Sequence, residues 1–503
     1  MAVNNIHASE TRKKGLKIWG LTYLAFFVWN IVATWWVYNA SLEGAIMAIV
    51  CNSLLHSWMF LIWYRTEKRI YSELRFWMLI PVWIAYEYLH HSWELTWPWL
   101  TLGNCFANTS GLIQWYEVTG TSGGSLWVLF VNVLLARIII SGKKEFKAYL
   151  KPILVIVIPV LISFLLLGIR TVSPAKKINV TVIQPNIDPY NEKFAAGFSN
   201  QLGKLHQQLQ NVSLNKNTEL VVLPETFIVG EEGFDVNEDN LKTSVEFNNL
   251  MALMKIHFPK ASVLTGAASF HEFLPNEPKT VTARNFGNSN DFYDSYNTAI
   301  YIDTTKNYTL YHKSKLVPGV ERMPYPGFFK YFEKYAIALG GTSGSLATQK
   351  ERTVFEDKIL NIKVAPSICY ESVYGDYMSE YIRKGAQVIA VLTNDGWWGN
   401  TPGHRQHLAF AKLRAIETRK QVIRCANTGI SCFIDEFGNI SQPLPYWEFA
   451  VINADVYMND SKTFFVMFGD VISYIAVFLA LGSIIYGRIK RRVKLVEQNL
   501  EGN

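Results

Sequence analysis

Six apolar runs constrain this chain more than any motif in it. Five lie before residue 170, at roughly 16–38, 42–64, 76–90, 123–141 and 151–169, and the sixth covers roughly 464–487. Most reach the ~20 residues that a helix needs to cross a ~30 Å hydrocarbon layer. The run at 76–90 is the short one, and its Glu87, His90 and His91 suggest a helix end that lines a cavity. The first run is too long for a cleaved leader and has no small-residue cleavage pattern. The expected layout is an N-terminal membrane bundle of about five spans (1–170), a large polar domain (171–463), one returning span (464–487) and a basic tail (488–503).

The charges agree with that layout. A net charge of +7 would point to nucleic acid if the basic residues formed a stripe, but they sit in short clusters beside the apolar runs. Arg12, Lys13, Lys14 and Lys17 precede the first run; Arg65, Lys68, Arg69 and Arg75 join the second and third. Lys143, Lys144, Lys147 and Lys151 join the fourth and fifth, and Arg488, Lys490, Arg491, Arg492 and Lys494 follow the sixth. The alternate loops, 39–41 and 91–122, hold no Lys or Arg, so all the clusters fall on one side and the positive-inside rule puts the polar domain outside the cytoplasm. Trp93, Trp97, Trp99, Trp115 and Tyr116 around Pro98 form either an interfacial belt or a lipid-entry site. No nucleic-acid partner, metal spacing, P-loop or GxGxxG is indicated. The cysteines at 51, 105, 369, 425 and 432 make no CxxC; Cys425 and Cys432 read best as two unpaired thiols, although an external location permits a disulfide.

From Lys176 onward short β-branched runs alternate with polar helical stretches, which makes the domain α/β. Strands are expected at 178–183, 220–223, 261–266, 298–302, 308–311, 361–368, 387–392 and 422–425, and helices at 192–214, 244–256 and 404–419. The stretches 271–295 and 340–350, rich in Gly, Asn and Ser, read as loops. Three reactive groups follow strands: Glu225 after Val-Val-Leu-Pro, Lys313 after Leu-Tyr-His, and Cys369 after Ala-Pro-Ser-Ile. The carboxyl ends of strands are where sites assemble in α/β sheets. A carboxylate could take the thiol proton, the thiolate attack a carbonyl, and the ammonium hold the oxyanion while also favouring the thiolate. Taken singly, each has a plainer reading: a core thiol, a helix-start carboxylate, a solvated lysine.

Leu223-Pro-Glu225, then Tyr311-His-Lys313-Ser-Lys-Leu316-Val-Pro318, then Ile368-Cys369-Tyr-Glu371 resemble, in order and context, the Glu–Lys–Cys triad of the nitrilase superfamily of carbon-nitrogen hydrolases. Its joining to a membrane bundle resembles the apolipoprotein N-acyltransferase family, as do Tyr296-Asn297-Thr298, Thr393-Asn-Asp-Gly-Trp397-Trp398-Gly, His404-Arg-Gln-His407, Arg414-Ala-Ile-Glu417 and Asn427-Thr-Gly429. The resemblance implies an αββα sandwich inserted between transmembrane helices of the bacterial inner membrane, without a cofactor or metal. It implies ping-pong transfer of an acyl chain from a phospholipid, through a Cys369 thioester, to the amine of a diacylated apolipoprotein. Glu225 would be the base, and Lys313 with the Tyr370 N–H the oxyanion site. Glu321 and Glu371 would position the lysine and shape the pocket, with Asn297 and Trp397 in support. Phe194, Phe328, Phe329 and Trp398 would meet lipid, although buried packing is an equal reading for both tryptophans. Spacing alone does not separate Lys313 from Lys315; the family position favours Lys313.

The chain also departs from the family. Two spans are missing at the front, the bundle reads Glu87-Tyr-Leu-His90-His91 in place of Glu-x-x-Arg-Gly, Lys193-Phe194 replaces Lys-Trp, and the loop after Lys313 reads Pro-Gly-Val-Glu321. A membrane-tethered amidase using the same three residues is the competing enzyme, and a transporter or receptor the competing class. The sparse charges within the spans speak against a transport path.

Overall fold

A computed structural model describes residues 13–67, 76–170, 176–193, 197–230, 235–287, 289–325 and 345–501. Its contacts form two compact units, one of Met1–Tyr38, Leu42–Ile169 and Phe468–Asn503, the other of Asn39–Ser41 and Arg170–Met467. Phe194, Phe328, Phe329 and the basic residues Arg12, Lys68, Arg69 and Arg75 lie outside the described residues.

The first unit is helical: α1 (Lys14–Thr34), α2 (Leu42–Glu67), α3 (Leu79–His90), α4 (Tyr116–Ser141), α5 (Phe146–Ile169) and, from the far end of the chain, α10 (Val471–Glu501). Among the described residues five helical stretches are long and apolar enough to cross a membrane, at Lys14–Asn39, Leu42–Thr66, Tyr116–Ser141, Phe146–Ile169 and Val471–Lys490. The apolar run at 76–90 gives only the 12 residues of α3, about 18 Å at 1.5 Å per residue. Its residues Ile80–Glu87 are all buried, and its polar end is bonded inward. Glu87 accepts from Trp83 Nε1 at 3.0 Å and from the Leu102 N–H at 2.8 Å. His90 Nε2 meets Asn52 Oδ1 at 2.8 Å and its Nδ1 accepts from Trp93 Nε1 at 2.8 Å. These partners leave Glu87 and His90 as a packed polar joint where the sequence suggested a cavity wall.

The second unit is built on two sheets. The first contains β1 (Lys176–Gln184), β2 (Leu220–Val222), β3 (Val236–Asn237), β4 (Ser262–Glu272), β5 (Arg284–Asn285), β6 (Phe292–Ile302), β7 (Tyr308–His312) and β14 (Ala450–Met458). Its order is β14-β1-β2-β4-β6-β5, with β3 on β4 and β7 on β6. The second contains β8 (Phe355–Asp357), β9 (Ile362–Ile368), β10 (Val388–Thr393), β11 (Val422–Ala426), β12 (Cys432–Ile434) and β13 (Ile440–Ser441), in the order β13-β12-β11-β10-β9-β8. The central strands β1, β2 and β4, and likewise β9, β10 and β11, are parallel. Helices α6 (Phe198–Gln210) and α7 (Val245–His257) cover the first sheet: Leu202, Leu205, Leu250 and Met254 pack on Ile183, Val221, Val263 and Ile300. Helices α8 (Gly375–Arg383) and α9 (Pro402–Thr418) contact β9 and β11 of the second. The sheets meet face to face, with the Cys425 thiol on the carbonyls of Ile183 and Val222. This is the αββα sandwich that the resemblance implies. Strands covered on both faces need continuous apolar runs, and the six residues of β10 are all buried.

The stretch 271–295 is not all loop. β4 and β6 run on as a paired arm in which His271 opposes Asp294 and Glu272 opposes Tyr293. Phe286 stacks on Tyr293 with ring centroids 4.3 Å apart, so cross-strand aromatic contact and backbone pairing extend strands that look polar in sequence. All five cysteines are free thiols, Cys425 and Cys432 among them.

Candidate active site

Strand ends of both sheets converge on Glu225. The chain leaves β2 through Leu223-Pro224 and crosses β4 at Gly266, where a Cβ would lie 2.7 Å from Glu225 Cα and 2.4 Å from the Thr226 nitrogen. That approach admits only glycine, and Thr226 takes a φ of 46°. Glu225 Oε1 accepts from Lys313 Nζ at 3.0 Å and from Asn297 Nδ2 at 2.8 Å; Oε2 accepts from the Asn394 N–H, just beyond β10, at 3.0 Å.

The β6–β7 hairpin supplies the cation. Thr298 opposes His312, so the next pair is Asn297 and Lys313, and the Lys313 N–H donates to the Asn297 carbonyl at 2.8 Å. Lys313 Nζ also donates to Glu321 Oε1 at 2.8 Å, and Asn297 Nδ2 reaches the same oxygen at 3.2 Å. Glu321 Oε2 accepts from the Val317 N–H at 2.8 Å, which pins the loop after the lysine. Lys315 points elsewhere, with its ammonium 5.0 Å from the Tyr374 ring centre.

Cys369 follows β9 with a φ of 50°, a left-handed backbone that costs a non-glycine residue on the order of 1–3 kcal/mol. Around it the chain turns into a 3₁₀ segment, Cys369–Val373. Glu371 is fully buried and bonds the chain beside the lysine, not the ammonium itself. Its Oε1 accepts from the hydroxyls of Tyr311 (2.6 Å) and Tyr377 (2.7 Å) and from the Ser314 N–H (2.7 Å), and its Oε2 from the Ile368 N–H (2.8 Å). It therefore ties the chain after Lys313 to the chain before Cys369. The Tyr370 ring packs edge-on to Tyr374, centroids 5.4 Å apart. Trp397 and Trp398 are half-buried; Trp397 meets the Tyr190 ring at 5.0 Å and Trp398 the His407 ring at 5.6 Å.

The electrostatics follow from burial and these partners. Burial alone would raise the Glu225 pKa, but the Lys313 ammonium, the Asn297 amide and Lys193 outweigh it and hold the carboxyl below its ordinary value. Burial works against the Lys313 ammonium, yet Glu225 and Glu321 keep it protonated well above the ordinary lysine value. The Cys369 thiol goes the other way: burial and then the Glu225 charge push it up, and the downward pull of Lys313 does not offset them. The lysine alone therefore does not give a resting thiolate. The arrangement is an ionised carboxylate, an ammonium and a protonated thiol, which suits proton transfer coupled to nucleophilic attack.

Two parts of this neighbourhood received no role from the sequence. Lys193 is buried; its Nζ donates to the Glu225 carbonyl at 3.2 Å and to Thr226 Oγ1, and burial lowers its pKa to about 8. Behind Cys369, Arg424 Nη2 donates to Asp395 Oδ2 at 2.7 Å, and His407 Nδ1 lies 3.1 Å from Asp395 Oδ1. Burial would raise the Asp395 pKa, but Arg424 and His407 hold it far below the carboxylate range. An arginine within the apolar strand β11 was the available signal, because a buried charge requires a partner.

Comparison with known proteins adds the following. The carbon-nitrogen hydrolase family model matches residues 179–464, and a model described as the apolipoprotein N-acyltransferase N-terminal domain matches residues 5–134. The apolipoprotein N-acyltransferase of Chlorobaculum tepidum is 29% identical over 470 residues, covering 91% of this chain and 85% of its own. Apolipoprotein N-acyltransferase 1 of Treponema denticola is 27% identical over 510 residues, covering 96% of this chain and 90% of its own. The crystal structure of Saccharomyces cerevisiae Nit3, a member of branch 10 of the nitrilase superfamily, aligns with a TM-score of 0.38 at 16% identity, over 57% of this chain and 93% of that one.

Proposed function

The chain belongs to the carbon-nitrogen hydrolase family, and from that premise we propose that it is an apolipoprotein N-acyltransferase working through a Cys369 thioester. What carries the reading is one chain that joins a carbon-nitrogen hydrolase domain to the N-terminal domain matched in N-acyltransferases, with relatives of that name along nearly its whole length. Glu225 takes the thiol proton as Cys369 Sγ attacks the ester carbonyl of a phospholipid. The tetrahedral oxyanion is held by the Lys313 ammonium and the Tyr370 N–H. Its collapse breaks the C–O bond, and the Glu225 proton leaves with the lysophospholipid hydroxyl. The free amine of a diacylglyceryl-cysteine then attacks the thioester, Glu225 receives the amine proton, and the thiol is re-formed as the amide is made. Asn297 and Glu321 fix Lys313 against Glu225, supported by the 2.8–3.2 Å bonds among them.

In this reading the apolar helices lie in the bacterial cytoplasmic membrane and the polar domain faces outward, as the one-sided basic clusters demand. The decisive experiment is the intact mass of the full-length protein after incubation with phospholipid, beside Cys369→Ser. The wild type is expected to gain one acyl chain that hydroxylamine removes and a diacylated lipopeptide discharges; the variant gains no thioester. A folded wild type that takes no acyl chain yet releases ammonia from soluble amides would replace this reading with an amidase.

A further inference from the structure

We infer that His407 is a positioning residue for acyl transfer: through the Cys369 carbonyl it aims and polarises the peptide whose N–H belongs to Tyr370. The inference rests on Cys369 being the nucleophile and on that N–H meeting the oxyanion. His407 is buried on α9, and its Nε2 lies 3.1 Å from the Cys369 carbonyl oxygen and 3.0 Å from Ser372 Oγ. A carbonyl oxygen can only accept, so Nε2 carries a hydrogen. Ser372 Oγ donates to the same carbonyl at 2.8 Å. Two donors thus converge on one acceptor, at the residue whose left-handed backbone needs an outside constraint.

The consequence follows from peptide geometry. The Cys369 C=O and the Tyr370 N–H belong to one planar trans unit and point in opposite directions, so whatever fixes the first fixes the second. Donors on the carbonyl also withdraw charge through the amide and strengthen its N–H as a donor. The ring itself is held from behind. His407 Nδ1 lies 3.1 Å from both Asp395 Oδ1 and Arg424 Nη2, and Thr393 Oγ1 donates to Asp395 Oδ1 at 2.8 Å. Thr393 ends β10, Asp395 follows it and Arg424 lies within the adjacent parallel strand β11, so that sheet sets the ring that sets the peptide.

The test separates oxyanion stabilisation from a merely structural role. Single-turnover acylation of the full-length protein by phospholipid is measured for wild type, His407→Leu, His407→Gln and Ser372→Ala. Alkylation of Cys369 by iodoacetamide is followed in parallel by peptide mass, because substitution at a saturated carbon forms no oxyanion. His407→Leu is expected to slow acylation about 100-fold at unchanged half-saturation by phospholipid, with alkylation close to wild type. Glutamine, whose amide nitrogen can take the Nε2 place, should recover about tenfold of that loss, and Ser372→Ala should slow acylation about tenfold. Where the leucine variant does not fold, the glutamine and Ser372 variants carry the test. Acylation at the wild-type rate in the variants, or alkylation falling as far as acylation, overturns the inference. A wild type that takes no acyl chain removes the reading of Cys369, and this inference with it.

Discussion

The two sheets deliver charge to the same place in different ways. At the end of the first, Glu225, Glu321 and Lys313 share one ammonium between two carboxylates, and the bonds run from 2.8 to 3.0 Å with Asn297 spanning the pair. At the end of the second, Asp395 and Arg424 are fully buried and matched one to one, with Thr393 and His407 on the remaining oxygen. The first set adjoins the thiol and holds an ionised carboxylate beside it, so its protons can be redistributed during a reaction. The second is balanced and lies behind the thiol's backbone, so it serves as a fixed frame. Chemistry and rigidity are divided between layers of one sandwich.

Substitutions that remove one charge from each set should therefore have crossed effects. Glu225→Gln takes away the proposed base but leaves Lys313 paired with Glu321. Acyl-enzyme formation is expected to fall by about a thousandfold or more, with a stability loss of only about 1 kcal/mol. Asp395→Asn strands Arg424 in the interior, which costs about 3–5 kcal/mol, while acylation in the folded fraction falls only about tenfold. Unfolding of the detergent-solubilised protein and single-turnover mass measurements, run on both variants, check the crossing. Equal ranking in the two assays would erase the distinction between the sheets.

A second comparison reads the first sheet by its pH response. In the wild type the Glu225 pKa is depressed, so its stabilising contribution is complete above the ordinary glutamate value of about 4.3 and is lost as pH falls through the lower folded value. Lys313→Met leaves Glu225 and Glu321 facing one another with only the Lys193 ammonium near Glu225, and two such carboxylates cannot both stay ionised cheaply. The folded Glu225 pKa must then rise above its ordinary value, so the variant gains stability as pH falls through it. The slope of stability against pH in the mildly acid range should reverse between the two proteins. An unchanged slope would mean that Lys313 does not set the charge state of the pair.

What the sequence makes legible follows the same physics. Parallel strands buried on both faces announce themselves as Val-Val-Leu or Val-Ile-Ala-Val-Leu, and a reactive residue after such a run marks a strand end, as at Glu225 and Cys369; Lys313 follows the antiparallel, half-exposed β7, and the resemblance, not the spacing, set it apart from Lys315. β14 was not, because Asn453 and Asp455 interrupt its apolar pattern and its partner β1 lies far away in sequence. The β4–β6 arm was hidden because its register is carried by backbone pairing and by aromatic contacts such as Phe286 on Tyr293. Asp395 and His407 fell within motifs that the resemblance marked, but their clustering with Arg424 was not legible because three elements supply one residue each and no local spacing links them. The partners of Glu371 were not legible for a related reason: the resemblance gave it a positioning role, but its donors, from Tyr311, Ser314, Ile368 and Tyr377, come from separate stretches of chain.

Lys193 tests how sharply the division between sheets holds. It sits on the first-sheet side yet contacts the main-chain carbonyl of Glu225 and the Thr226 hydroxyl, in the manner of a frame residue. Burial lowers its pKa from 10.5 to about 8. A base with a depressed folded pKa opposes folding while charged, so the cost is full below about 8 and is relieved as the native state releases its proton. Wild-type stability should then include a rise between about pH 8 and the ordinary lysine value near 10.4, on the order of 3 kcal/mol in total. Lys193→Met should remove that rise, and the difference between the two unfolding profiles isolates it from other titrations. If the same variant also shifts the alkaline limb of acyl-enzyme formation, Lys193 acts on the Glu225 and Cys369 charges and belongs with the reactive set. If only the stability profile changes, it holds the left-handed turn at Thr226, and frame residues occur on both sheets.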